Sequence, residues 1–242
     1  MVRIEISLQT VRRVLIALLA LLMAAGFWAE ANDNPELLSK RRDRSAWIRF
    51  FSLSWEHNLP TWFSSIVLFS CACLLVLNAL RSSALKESYT KHWWFLALAF
   101  LYISLDEFVQ IHEKANAWFQ FGGILYFGWV IPAAVIVAII GISCLGFLRQ
   151  LPRRTRNRFV LAGSIYVGGA LGVEFGLGFW TDTVGSHNAI YGLIDWVEES
   201  MEMIGASLFL YSLLDHVAGA SGGFELSLDN ARESRLAIQA NS

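Results

Sequence analysis

"WWFLALAFLYISLDEFVQIHE", residues 93–113, decides the fold. Its first half is an unbroken apolar run. Asp106, Glu107, His112 and Glu113 then follow within about two helical turns. A run of this kind is built to cross a bilayer, and ionised groups at its end are costly unless something holds them there. The rest of the chain agrees. Of its 242 residues 55% are hydrophobic and 16% charged, against about 25% charged in a typical soluble domain. This composition predicts an all-α, polytopic membrane helix bundle that contacts the lipid bilayer. The net charge of −1 and the absence of a basic stripe exclude nucleic acid as a partner.

Hydropathy predicts six transmembrane helices, over Val14–Ala29, Pro60–Leu80, Trp93–Asp106, Ile124–Phe147, Phe159–Trp180 and Ile190–Leu214. The first follows Arg12 and Arg13 and ends near Ala29-Glu30-Ala31, so it reads as a transmembrane helix, a signal anchor or a cleaved signal peptide. The predicted organisation is residues 1–31 as that first element and 32–59 as a periplasmic segment with an interfacial helix. A five-helix bundle fills 60–216, and a flexible cytoplasmic tail fills 217–242. With the N-terminus inside, eleven Lys and Arg fall in inner segments and six in outer ones, which gives N-in and C-in. Pro60 suits a first helical turn, and Asn58 is a candidate cap for it. Cys71, Cys73 and Cys144 lie in apolar runs and read as small hydrophobes.

The acidic residues carry the functional reading. At about 1.5 Å per residue, Asp106 lies roughly 22 Å above Lys91, Glu174 about 24 Å above Arg158, and Glu202 about 20 Å from Asp215. Three helices thus place carboxylates at one depth near the outer face. Asp195, Glu198, Glu199 and Glu202 form one stripe on the sixth helix, while His112 lies off the face of Asp106 unless the helix bends there. No Lys or Arg shares this depth, so protons or a metal must neutralise the cluster. The candidate metal ligands are Asp106, Glu107, His112, Glu174, Glu199 and Glu202, with Glu56, Glu113 and Glu198 as accessories. Asp195, Glu198 and Glu113 also fit a water-facing rim, and His57 and His187 fit loops. Carboxylates with imidazole and no thiolate suit a divalent metal ion, Fe, Mn or Zn. Glu199-x-x-Glu202 and Glu107-x4-His112 depart from the Glu-x-x-His pairing of di-iron bundles. Gly168, Gly172 and Gly176 predict a small-residue face for close helix packing.

At "NLPTWFSS" (58–65), "SLDEFVQIHE" (104–113) and "VEESMEMIGASLFLY" (197–211) the chain resembles a group of uncharacterised bacterial multi-pass inner-membrane proteins. The resemblance implies a bacterial inner (cytoplasmic) membrane location and no particular activity. Three functions follow. One is an intramembrane metal-binding protein, with metalloenzyme activity left open. The second is a proton or cation relay, which the apolar inner halves of the helices oppose. The third is a structural or assembly subunit, with a membrane-protein partner or a homo-oligomer, for which "KRRDR" (40–44) offers a basic docking segment.

Overall fold

The computed structural model describes residues 3–5, 7–32, 42–116, 118, 121–186, 188–221 and 225–227. Among the described residues the chain is all-α apart from one antiparallel pairing of β1 (Arg3–Glu5) with β2 (Glu225–Ser227). Among the described residues, five helices are long and apolar enough to cross a membrane: Leu8–Asn32, Leu59–Ala84, Thr90–Val109, Val130–Gln150 and Arg153–Val184. The first, α1 (Leu8–Asn32), is followed by the short α2 (Arg42–Phe51), then α3 (Leu59–Ala84) and α4 (Thr90–Val109). A six-residue α5 (Ile111–Asn116) and a 3-10 turn (Gly123–Leu125) lead into α6 (Val130–Gln150). The stretch Arg153–Val184 is α7 (Arg153–Val167), a π-helical turn (Gly168–Val173) and α8 (Glu174–Val184). The last helix, α9 (Ala189–Ser221), is 33 residues long and bears the acidic stripe. It continues through residue 217, where the sequence predicts the tail to begin, and part of that tail pairs as β2. Lys40, Arg41 and His187 lie outside the described residues.

Local chemistry sets these boundaries. Asn58 caps α3, accepting from the Thr61 N–H at 3.2 Å, and Pro60 occupies the first turn. Leu151 is extended because Pro152 follows it, and this separates α6 from α7. The predicted fourth span starts too early. Gly123 has φ +66, its N–H donates to Asp182 Oδ2 at 2.9 Å, and the chain turns helical only at Val130.

Helix α9 is the axis of the bundle, packed on α1, α3, α7 and α8. Leu75, Trp93, Phe147, Phe159, Phe209 and Leu213 fill one end of the core. Beyond them Arg154 and Arg158 pair with Asp215 at 3.1 and 2.9 Å. At the other end α1 is tied in by Leu22, which packs with Leu53 and Met203, and by Trp196 Nε1, which donates to the Met23 carbonyl at 3.0 Å. Cys71 and Cys144 are buried as expected, but Cys73 is exposed on the outside of α3.

The predicted glycine face is only partly used. A Cβ on Gly168 would sit 3.1 Å from Met201, and one on Gly169 would sit 2.8 Å from the Glu198 carbonyl. Gly172 and Gly176 face open space. A π-helical turn holds more residues than an α-turn, so four-residue spacing no longer keeps one side. The close contact goes instead to Gly169 and to Gly205 on α9.

Candidate functional site

The acidic stretch that opened the sequence is reshaped by one backbone break. Gln110 adopts a left-handed conformation, φ 59 and ψ 50, and its N–H closes on the Asp106 carbonyl at 2.7 Å. This ends α4 and redirects the chain into α5. His112, off the acidic face of a straight helix, is thereby brought back over Asp106. Its Nδ1 lies 2.9 Å from Asp106 Oδ2, and its backbone N–H donates to Asp106 Oδ1 at 3.0 Å. Burial pulls the imidazole pKa down, but the Asp106 hydrogen bond and charge outweigh it and hold it up at about 9. The ring also packs at 4.9 Å against Trp129, whose Nε1 donates to Glu174 Oε1 at 3.2 Å.

Glu56 arrives from the loop between α2 and α3. The Asn58 amide group donates to the carbonyls of Ser52 and Trp55, and Glu30 at the end of α1 accepts from Ser52 Oγ and the Ser54 N–H. The loop is therefore held from both sides. Burial raises the Glu56 pKa, and a hydrogen bond from Gln110 opposes this. Among the described residues, Glu56, His112 and Glu113 form a group whose donor atoms lie within 4.8 Å of one another.

Below this group lies a cavity of about 900 Å³. The five carboxylates proposed from sequence as ligands, Asp106, Glu107, Glu174, Glu199 and Glu202, all line it. So do the accessories Glu56, Glu113 and Glu198. Asp195 and Glu198, which also suited a water-facing rim, line the cavity too, and Glu198 is only 6% exposed. Glu113 remains exposed. Glu198 Oε2 and Asp195 Oδ2 are buried with no hydrogen-bond partner. Such groups are costly to leave unpaired. Tyr166 hydrogen-bonds Glu202 at the cavity floor. Among the described residues, no Lys or Arg lines the chamber.

Two parts of the expected site are therefore rearranged. The compact donor group uses Glu56 and Glu113 with His112, whereas the deeper carboxylates line the wider chamber. Asp106 contacts the imidazole on Nδ1. Tyr166 and Trp129, which residue-type reasoning passed over, hydrogen-bond two of the carboxylates. Their aromatic rings within apolar runs carried no sign of this. His57 sits in the loop, as expected, with φ 58 and its ring edge-on to Phe108.

The family model described as a domain of unknown function (DUF8692) matches residues 14–217. No curated protein and no solved structure matches the chain.

Proposed function

We propose that this protein, which belongs to the DUF8692 family, is a six-span, N-in and C-in protein of the bacterial inner membrane that binds a divalent metal ion near the periplasmic face. The ligands are Glu56, His112 and Glu113. One observation carries this reading: Asp106 holds both the backbone N–H and Nδ1 of His112, and this fixed imidazole has a donor atom within 4.8 Å of one from each of Glu56 and Glu113. Carboxylate–imidazole–metal chains are the usual way of fixing a histidine ligand. Small side-chain rotations would bring the three donors to about 2.0–2.2 Å from a common point, the range for Zn with N and O ligands. Three protein ligands leave a position for water or substrate, so the ion would supply a Lewis acid. Glu107, Glu199 and Glu202 line the chamber beside it. The basic end at Arg154 and Arg158, opposite the acids, supports the orientation.

Metal analysis of the detergent-purified chain tests the assignment. Wild type is expected to hold about one divalent ion per chain, and Glu56→Ala and His112→Ala to hold almost none. Asp182→Ala, outside the chamber, should keep it. A metal-free wild type, or equal metal in all variants, would overturn the assignment and favour a proton relay through the carboxylates.

The first helix is retained in this reading. Its Leu22, Met23 and Glu30 pack on, or hydrogen-bond to, the loop and α9. Intact-mass measurement should find residues 8–32 present in the membrane-extracted chain. A mature start near Asn32 would refute the six-span topology.

A further inference from the structure

The chamber is not sealed from the side. Helices α4 and α6 meet at their inner ends, where Trp93 lies edge-on to Phe147 at 4.7 Å and His92 Nε2 lies 3.3 Å from the Ser143 carbonyl. They are linked again at the top, where His112 packs on Trp129. Between these ties runs a groove. Leu98 and Tyr102 of α4 line one side, and Ile136 and Ile139 of α6 line the other. All four are exposed, Leu98 at 64% and Ile139 at 61%. From Trp129 to Phe147 the window spans about 27 Å along α6, close to the thickness of a hydrocarbon core. Its inner part continues into a second cavity of about 240 Å³, apolar and shared along Ala99, Ile103, Val137 and Ile140.

We propose that this groove admits a long-chain lipid amine from the bilayer, its alkyl chain between α4 and α6 and its ammonium among the chamber carboxylates. The inference rests on reading the chamber as membrane-embedded, and it does not require the metal. Four observations select this ligand. A slot open within the depth of the hydrocarbon is reached by lipid and not by water-borne solutes. Its walls are apolar until Tyr102 and Glu107, where they turn acidic. At the acidic end, Glu198 hydrogen-bonds Glu174, but its Oε2 is buried with no partner of its own. Among the described residues the chamber lacks Lys and Arg, and its imidazole, His112, is already paired with Asp106, so a phosphate or carboxylate headgroup finds no free counter-charge there. An ammonium brings three N–H donors and a positive charge.

Photo-crosslinking tests this with the full chain in phosphatidylcholine vesicles. The probes are hexadecylamine, hexadecanol and palmitic acid, each carrying a chain diazirine. Labelling of Leu98, Ile136 and Ile139 by the amine is expected to exceed that by the acid about tenfold, the ratio one charge-assisted hydrogen bond supplies. Ala99→Phe and Ala133→Phe, which fill the groove without touching a metal donor, should each abolish the excess. Glu198→Gln should reduce it. Labels spread evenly around the bundle, equal labelling by all three probes, or an excess that survives both filled variants would overturn the proposal. Metal content of the same samples separates the two readings. Bound metal without groove selectivity defeats only the lipid proposal, and groove selectivity without metal defeats only the metal assignment.

Discussion

Asp106→Asn lowers metal affinity by about 10–100-fold when measured above pH 9, the usual cost of removing the partner of a ligating histidine. The chain still folds, because the amide oxygen can keep accepting the His112 backbone N–H that stabilises the break after α4. What is lost is the charge on Nδ1, and with it the fixed ring orientation. The pH dependence gives the sign. In the metal-free protein the imidazole is held up at about 9 by Asp106, against burial, which alone would lower it. Below that pH a metal must displace a proton, so wild-type affinity climbs as pH rises and levels off near 9. Without the carboxylate the ring pKa falls and the rise ends at lower pH. The gap between wild type and variant therefore widens with pH and is smallest near neutrality. Metal titration at several pH values, with imidazole NMR on the metal-free protein, reads both effects. A gap that narrows as pH rises, or a ring pKa unmoved by the substitution, would contradict the orienting role.

Gly205→Ala is the second large effect, and it concerns packing. A methyl there would meet the Tyr166 backbone nitrogen at 2.7 Å, Tyr166 Cβ at 2.8 Å and the Ala162 carbonyl at 2.9 Å. None of these is the free end of a flexible side chain, so α7 and α9 must separate. Overpacking of this kind costs about 1–3 kcal/mol, and valine should cost more than alanine. Gly172→Ala is the internal control: its Cβ meets nothing within 4 Å, and alanine favours helix. Thermal melts in detergent should show a clear fall for Gly205→Ala and little change or a gain for Gly172→Ala. The separation would also pull Tyr166 from Glu202, so the chamber floor changes together with stability. Equal melting temperatures for the two variants would remove this account of the α7–α9 contact.

The convergence of acids was legible because helical rise is fixed. Counting from Lys91, Arg158 and Asp215 was enough to bring Asp106, Glu174 and Glu202 to one level, and all three line one chamber. The cap at Asn58 was legible for a similar reason: its chemistry is local. The donor group was harder to read. Glu56 reaches His112 through a loop whose path is set by the hydrogen bond that Ser52 donates to Glu30 and the one that Asn58 donates to the Ser52 carbonyl, and no periodicity encodes those. The left-handed Gln110 was also hidden, since glutamine is an ordinary helix former and nothing in "FVQIH" marks a stop. The glycine spacing misled because it assumes 3.6 residues per turn throughout, and Gly168–Val173 does not keep that pitch.

That wide turn sets the direction of everything that follows it. It sits immediately before Glu174, and the bulk of Arg153–Val167 lies behind it. A π-helical turn takes about one residue more than regular helix to cover the same angle. Winding Gly168–Val173 at regular pitch with no residue removed would therefore swing everything downstream by about 100°. Glu174 would turn away from Trp129, and Gly178 would lose its place beside Phe127. Its residues can vary in kind so long as they stay small where Glu198 and Met201 press close, but their pitch is set by the direction in which one carboxylate must point.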